Sequence, residues 1–524
     1  MTTTTVTDRL KTEFVNTPML DFTNPEVARR QQQAIDSVRS RLGRSYPLII
    51  GGERITSDST FKSINPARPN EVVGVFPTAN VEHAKQAISA AETTFKTWQY
   101  VDPISRANLL LDVAQLLKGR RMEFNAWLMF ETGKSWVEAD ADVAEGIDFL
   151  EFYAREMYRL TQEQPLTKIP GEDNALTYIP LGVGIVIPPW NFPLAIMAGM
   201  TTAAIVAGNT VVLKPASTSV TIAANFVKLL EEAGFPAGVV NFLPGPGGAI
   251  GDALVADPRT RFIAFTGSRD VGLHINELAA KHQPGQKWIK RTILEMGGKD
   301  AVVVDETADI DAAAAGIVQS AFGFQGQKCS AGSRAIIVGP VYDAVVAKII
   351  ERVKTLSLGD PEDPQTYMGP VIDANAFKKI REYIEIGRDE GQLVAGGGDV
   401  DRDGYYIPPT VFAGIAPDAR LAQEEIFGPV LAITKAKDFD DALAIANGTE
   451  YGLTGALFSR DQQRLAQARR EFHVGNLYFN RKCTGALVGA QPFGGFNMSG
   501  TDSKAGGRDY LLLFTQAKVV VSKK

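Results

Sequence analysis

The segment Gly326-Gln327-Lys328-Cys329-Ser330-Ala331 sets a thiol between a predicted helix and a predicted strand, among small residues that let a substrate approach. A thiol acts as a nucleophile when it is accessible and its pKa is lowered. On its own, Cys329 reads equally well as a small buried apolar residue. Leu294-Glu295-Met296-Gly297-Gly298-Lys299 adds a carboxylate 34 positions upstream, at the end of a predicted strand and beside two glycines that leave room around it. Partly desolvated in a cleft, Glu295 could take a proton from water; on a surface it would only pair with a cation. Pro188-Pro189-Trp190-Asn191-Phe192-Pro193 is a proline-framed turn that could fix the Asn191 amide as a donor to a developing oxyanion, or merely satisfy local backbone.

Phosphate-binding signals are weaker. Gly245-Pro246-Gly247-Gly248-Ala249-Ile250-Gly251 is one residue too long for the dinucleotide fingerprint G-x-G-x-x-G. Phe265-Thr266-Gly267-Ser268 leads from a strand into a helix, where free N–H groups and the helix dipole can meet an anion; a plain turn capped by Ser268 has the same pattern.

These residues need rigid supports, and the hydrophobic pattern supplies them. Short apolar runs at Val183–Ile187, Val211–Leu213, Val239–Phe242, Phe262–Phe265 and Thr292–Leu294 alternate with helical stretches, which implies a parallel, doubly wound α/β layer with ligands at the carboxyl ends of its strands. After Gly298 the alternation restarts with strands at Ala301–Val304 and Arg334–Val338 and helices near Asp309–Phe322 and Tyr342–Val353, a second α/β domain with a cleft between the layers. Helices are also predicted from Val81, over Pro103 to Lys118, and over Val137 to Leu160, the last with Glu and Asp on an exposed face.

The 524 residues carry 54 Lys+Arg and 60 Asp+Glu, a net charge of −6 that makes nucleic acid an improbable partner. Two cysteines cannot form a disulfide framework and suit a reducing compartment, so the cytoplasm is expected. Four scattered histidines have no metal-ligand spacing, and no metal is expected. Residues 1–8 lack a basic region followed by an apolar core, so no leader peptide is expected. Leu194 to Leu213 is free of charge and long enough to span a bilayer, but Pro188, Pro189 and Pro193 before it and Gly208-Asn209-Thr210 within it argue for a buried helix, turn and strand, and no membrane association is expected.

Six motifs occur in the order found in the NAD(P)-dependent aldehyde dehydrogenases: Pro189 to Pro193, Lys214-Pro215-Ala216, Phe265 to Ser268, Glu295 to Lys299, Gly326 to Cys329, and Glu424-Glu425-Ile426-Phe427-Gly428-Pro429. The chain resembles that family over about 45–520. Through Asn480 to Ala486, Pro492 to Asp502, Ala144 to Phe149 and Cys329-Ser330 it is most similar to the branch that oxidises L-glutamate γ-semialdehyde; another semialdehyde or an aliphatic aldehyde is the alternative substrate.

The resemblance implies an α/β fold with a Rossmann-type cofactor domain (1–160 and 181–296), a catalytic domain (297–497) and a small β arm for oligomerisation (161–180 and 498–524, with strands at Leu166–Tyr178 and Gln516–Ser522). A homodimer or larger homo-oligomer follows. It implies Cys329, Glu295 and Asn191 as catalytic residues. It places the cofactor, NAD with NADP also accepted, on Ile187, Pro188, Trp190, Lys214, Ser217, Gly247, Gly267, Ser268, Glu425 and Phe427. It places a small-molecule substrate on Glu145, Phe192, Ser330, Gly485, Ala486 and Phe493. Two positions depart from many relatives: Ser217 stands where a Glu would repel a 2′-phosphate, and Ser503-Lys504 stand where a Glu would offer a proton exit.

Overall fold

The computed structural model describes residues 8–524; the expectation about a leader in Met1–Thr7 lies outside the described residues. A seven-stranded sheet has the order Arg291–Glu295, Thr260–Thr266, Val183–Ile187, Thr210–Leu213, Val240–Phe242, Leu48–Ile50, Glu53–Ile55. Its first five strands are parallel, and the last two close the edge antiparallel. Val183, Ile185, Val211, Val212 and Ile263 are all buried, as strands covered by helices on both faces require. A second seven-stranded sheet runs Gln392–Ala395, Thr410–Ala413, Val430–Ala436, Arg334–Val338, Ala301–Val304, Thr454–Phe458, Asn476–Phe479, and only its first strand is antiparallel. The doubly wound α/β class predicted from the alternation is the observed one.

The charge-free run is interior, as the prolines and Gly208 suggest. Helix Ala195–Val206 is buried along nearly its whole length, and Gly208 reverses the chain at φ 97°. Asn209 is fully buried there: its Oδ1 accepts from the N–H groups of Leu181 (2.7 Å) and Gly182 (2.9 Å), and its Nδ2 donates to the carbonyls of Ala204 and Phe514 at 2.9 Å each. Among the described residues no helix is long and apolar enough to cross a membrane.

Strands Glu172–Pro180 and Thr515–Lys523 form a separate antiparallel ribbon. The first starts at Glu172 rather than at Leu166, because Pro165 and Pro170 lack the N–H that a ladder needs. Between Gly500 and Ser503 the chain runs instead against strand Arg291–Glu295: Thr501 N–H donates to Leu294 O (2.9 Å), and Met296 N–H donates to Ser499 O (2.7 Å).

The acids of helix Trp136–Thr161 are not on an exposed face. Asp140, Asp142, Asp148 and Glu156 are buried, and Glu138, Asp142, Glu145 and Asp148, spaced four, three and three apart, share one inward face. The four buried ones, Asp140, Asp142, Asp148 and Glu156, each find a partner. Asp140 takes two contacts of 2.6 Å from Arg121, one from Leu20 N–H (2.8 Å) and one from Asn125 Nδ2 (3.1 Å). Asp142 accepts from Ala195 N–H (2.7 Å) and so caps a helix that has no capping side chain of its own. Asp140→Ala would leave Arg121 unpaired in a site where it is only 11% exposed, and should cost about 3–5 kcal/mol. The check is a denaturant titration, which should show the lower midpoint together with faster proteolysis within residues 14–20.

Candidate active site

The first sheet ends at Glu295 and the second begins at Ala301, so residues 296–300 are the joint between the layers. Gly297 and Gly298 are required there. A Cβ on Gly297 would lie 2.2 Å from Glu425 Oε2, and one on Gly298 would lie 2.5 Å from the carbonyl oxygen of Cys329. The room expected beside Glu295 is thus occupied by two other site residues, and Gly298 N–H donates to Glu425 Oε1 at 3.0 Å.

Cys329 follows a turn in which Phe324 (φ 47°) and Gln325 (φ 55°) are both left-handed, a conformation costly for non-glycine residues. The turn is held by Gln325 Nε2, which donates to the carbonyls of Gly133 (3.2 Å) and Pro370 (2.8 Å). Asn191 is buried, and its Nδ2 donates to Gln327 O at 3.1 Å, which spends one amide hydrogen on the cysteine turn and leaves the second. The lowered thiol pKa expected of a nucleophile is not what the protein's own groups provide. Burial pushes the Cys329 thiol well up, and the charges of Asp300, Glu295 and Glu425 push it further, so Cys329 rests as the thiol.

Burial also raises the Glu295 carboxyl to about 7, against the hydrogen bonds that hold its charged form. Ser503 Oγ donates to Oε1 at 2.6 Å, and the N–H groups of Ser503 and Gly495 lie at 3.3 Å. Ser503, noted in the sequence only for what it replaces, is therefore a direct partner of Glu295, and no local signal in the sequence marks that contact. Lys504 Nζ donates to the carbonyls of Gly475 and Gly494, both at 2.8 Å.

Lys134, Asp142, Glu138, Lys328 and Phe324 make up a further cluster that the sequence did not single out. Lys134 Nζ sits 3.9 Å from the Phe192 ring centre, 4.4 Å from that of Phe324 and 3.1 Å from Asp142, and Lys328 pairs with Glu138 at 2.7 Å. The three-and-four spacing of the acids was the available clue. Glu145 lies on the same helix face; burial and then Asp142 raise it to about 8, so it needs an incoming cation to ionise fully at neutral pH. Ser330 is buried, and its carbonyl accepts from Cys483 Sγ (3.3 Å). Gly485 turns at φ 77°, and among the described residues neither its N–H nor that of Ala486 has an acceptor, as an anion-binding turn requires. Phe493 is held beside Gly494 and Gly495 by paired backbone bonds with Ala505.

On the first sheet, Ile187, Pro188 and Trp190 follow a central strand, and Trp190 meets Phe427 edge to face at 5.3 Å. Phe427 is itself left-handed at φ 60°. Lys214 is buried, and desolvation lowers it to about 8 with no carboxylate to offset the loss; Ser217 Oγ reaches only Gly245 O, at 3.4 Å. Helix Gly247–Ala256 starts beside Lys214 with no capping side chain, and a Cβ on Gly247 would meet nothing nearer than Lys214 Nζ at 4.0 Å. Ser268 is the N-cap of helix Arg269–Ala280, yet its hydroxyl makes no cap bond, and Gly267 precedes it. Two uncapped helix starts, open space and an uncompensated cation fit a dinucleotide. Among the described residues no group of acids, histidines and cysteines could hold a metal.

A thiol, a buried carboxyl and an amide donor thus meet at the joint of two doubly wound layers, one of which fits a dinucleotide, an arrangement compatible with a nucleotide-dependent oxidoreductase. The chain belongs to the aldehyde dehydrogenase family, whose model matches residues 54–520. It is 59% identical over 503 residues to the 1-pyrroline-5-carboxylate dehydrogenase of Geobacillus kaustophilus, covering 96% of this chain and 98% of that one. It is 57% identical to the enzyme of the same name from Bacillus subtilis, with coverage of 96% and 98%. A solved 1-pyrroline-5-carboxylate dehydrogenase from Thermus with bound NAD superposes with a TM-score of 0.96 at 51% identity, over 98% of this chain and 99% of that one.

Removing the Ser503 hydroxyl takes away a bond to the charged form of Glu295, so Ser503→Ala should raise that carboxyl by about one unit, from a charged hydrogen bond of roughly 1.5 kcal/mol. A pH titration of the carboxyl stretch by infrared difference spectroscopy measures it.

Proposed function

We propose that this chain oxidises L-glutamate γ-semialdehyde, the open form of 1-pyrroline-5-carboxylate, to L-glutamate with NAD, the second step of proline degradation. The observation that carries the chemistry is the meeting of Cys329, Asn191 and a Glu295 poised at about 7 around the Gly297-Gly298 joint. The names of the relatives support the substrate.

Cys329 gives up its proton to solvent and its sulfur bonds the aldehyde carbon, while the second Asn191 amide hydrogen and the Cys329 N–H hold the oxyanion of the hemithioacetal. NAD, when bound, supplies the acceptor for the hydride that leaves as the carbonyl re-forms. Glu295 then takes a proton from water, which opens the thioester, releases the carboxylate product and restores the thiol. Lys214 with Ser217 receives the adenosine ribose, Gly247, Gly267 and Ser268 the pyrophosphate, Glu425 the nicotinamide ribose, and Ile187, Pro188, Trp190 and Phe427 the ring. Ser330 and the N–H groups of Gly485 and Ala486 bind the substrate carboxylate, Glu145 pairs the ammonium, and Phe192 and Phe493 wall the aliphatic stem.

Residues 1–160 and 181–296 serve as the cofactor domain and 297–497 as the catalytic domain. The ribbon carries the oligomerisation: Val519, Val520 and Val521 stand 59%, 45% and 60% exposed on its outer strand, an edge that a second subunit would cover. The chain works in the cytoplasm, where Cys329 stays reduced.

Cys329→Ala should abolish oxidation of the semialdehyde while NAD binds as in the wild type, and Glu295→Gln should accumulate a covalent adduct 1:1 with enzyme, read by mass spectrometry after a single turnover. Equal turnover of glutamate semialdehyde and propanal would count against the substrate. With no anion beside Lys214, NADP should also support turnover; Ser217→Glu should cut kcat/KM for NADP by at least tenfold and leave NAD within threefold, by steady-state kinetics.

A further inference from the structure

The lead before the first sheet lies largely outside the family's own domain: the family model begins at residue 54. In the fold, residues 12–20 lie along the acidic helix Trp136–Thr161. Arg155 Nε donates to Thr12 O (2.9 Å), Phe14 packs edge to face on Phe152 at 5.2 Å, and Arg121 donates to Pro18 O at 2.9 Å. One residue of this strap does more than anchor it. Asn16 Nδ2 spends both hydrogens on different elements: one goes to Asp148 Oδ2 and the other to the carbonyl of Val488, each at 2.9 Å. Thr17 N–H closes the remaining carboxylate oxygen, Asp148 Oδ1, at 2.7 Å.

The two elements so joined are the two halves of the substrate end of the site. Asp148 is one helical turn beyond Glu145 on the same face, and Val488 is two residues beyond Ala486. Apart from Asn16, the loop meets this helix through apolar packing, with Val488 buried in one core with Phe149, Phe152 and Tyr153. Gly489, at φ 78°, fits in a gap between Phe14 and Phe152, where a Cβ would meet both rings at 3.1 Å, and its N–H donates to Gly506 O at 2.8 Å. Gly485 itself is exposed, so the direction of its unpaired N–H depends on how the loop is held further along.

We propose that Asn16 is a positioning residue for substrate specificity: by bridging Asp148 and Val488 it sets the distance between the group that meets the substrate ammonium and the turn that meets its carboxylate. It touches neither substrate nor cofactor. A simple aldehyde has no second anchor, so it gains nothing from this bridge, whereas an amino-acid aldehyde held at both ends loses affinity when the spacing relaxes. The inference rests on the reading of Gly485 and Ala486 as the carboxylate turn.

The test compares full-length wild type, Asn16→Ala and Asn16→Asp on glutamate semialdehyde and propanal. Asn16→Ala should raise KM for glutamate semialdehyde about tenfold, with kcat, KM for NAD and kcat/KM for propanal within twofold. Asn16→Asp keeps the size but sets a carboxylate against Asp148 and a carbonyl, and should raise that KM further, so hydrogen bonding is separated from packing. Equal losses on both aldehydes, or no change on either, would overturn the proposal. Wild type that fails to prefer glutamate semialdehyde would sink the underlying reading and this inference with it, a result visible before any variant is made.

Discussion

The absence of two side chains at Gly297 and Gly298 is the constraint on which the site depends. Strand Arg291–Glu295 delivers its last residue to the cleft, and the chain must cross at once into the second layer at Ala301. In that crossing the Glu425 carboxylate and the Cys329 backbone approach so closely that any Cβ would displace one of them. Glu295 on one layer, Cys329 on the other and the Glu425 carboxylate can share one volume only because this joint has no bulk. The loss of conformational entropy that glycine brings is offset by the strands that clamp both ends.

The electrostatics follow from the same crowding. Asp300, Glu295 and Glu425 gather around one thiol, and burial raises all three carboxyls, with the charge of Glu425 raising Asp300 further. Lys299, buried and lowered to about 7, adds a cation that has no hydrogen-bond partner of its own among the described residues. Burial and neighbouring negative charge hold the Cys329 thiol well above its ordinary range, and burial brings Glu295 to about 7.

The acidic helix Trp136–Thr161 shows how the rest of the scaffold serves the joint. Asp142 caps the helix behind the Asn191 turn, Glu138 fixes Lys328 next to Cys329, and Asp140 and Asp148 hold the N-terminal strap. Carboxylates that could have formed a solvated face are instead pins, with Glu138, Asp140, Asp142 and Asp148 each meeting a specific donor. Buried charge is tolerated because it is paired, and pairing dictates which surfaces meet.

Short-range features were legible from the order of residues alone. The five strands between 183 and 295 follow from β-branched runs between turn residues, and the buried helix of 195–206 from its lack of charge and its bounding prolines and glycine; Cys329, Glu295 and Asn191 stood out as candidates by their small or rigid neighbours, each also open to a plain structural reading. These are decided within a few residues, by sterics and periodicity. Contacts made across long stretches of chain were not legible: Ser503 on Glu295, Lys134 between Phe192 and Phe324, and Asn16 between Asp148 and Val488. Nor was the protonation state of Cys329, because a pKa is set by the dielectric and the charges that folding brings in from remote positions. The inward turn of the acidic helix was misjudged for the same reason: period shows that a face exists, and only packing decides whether water or a partner covers it.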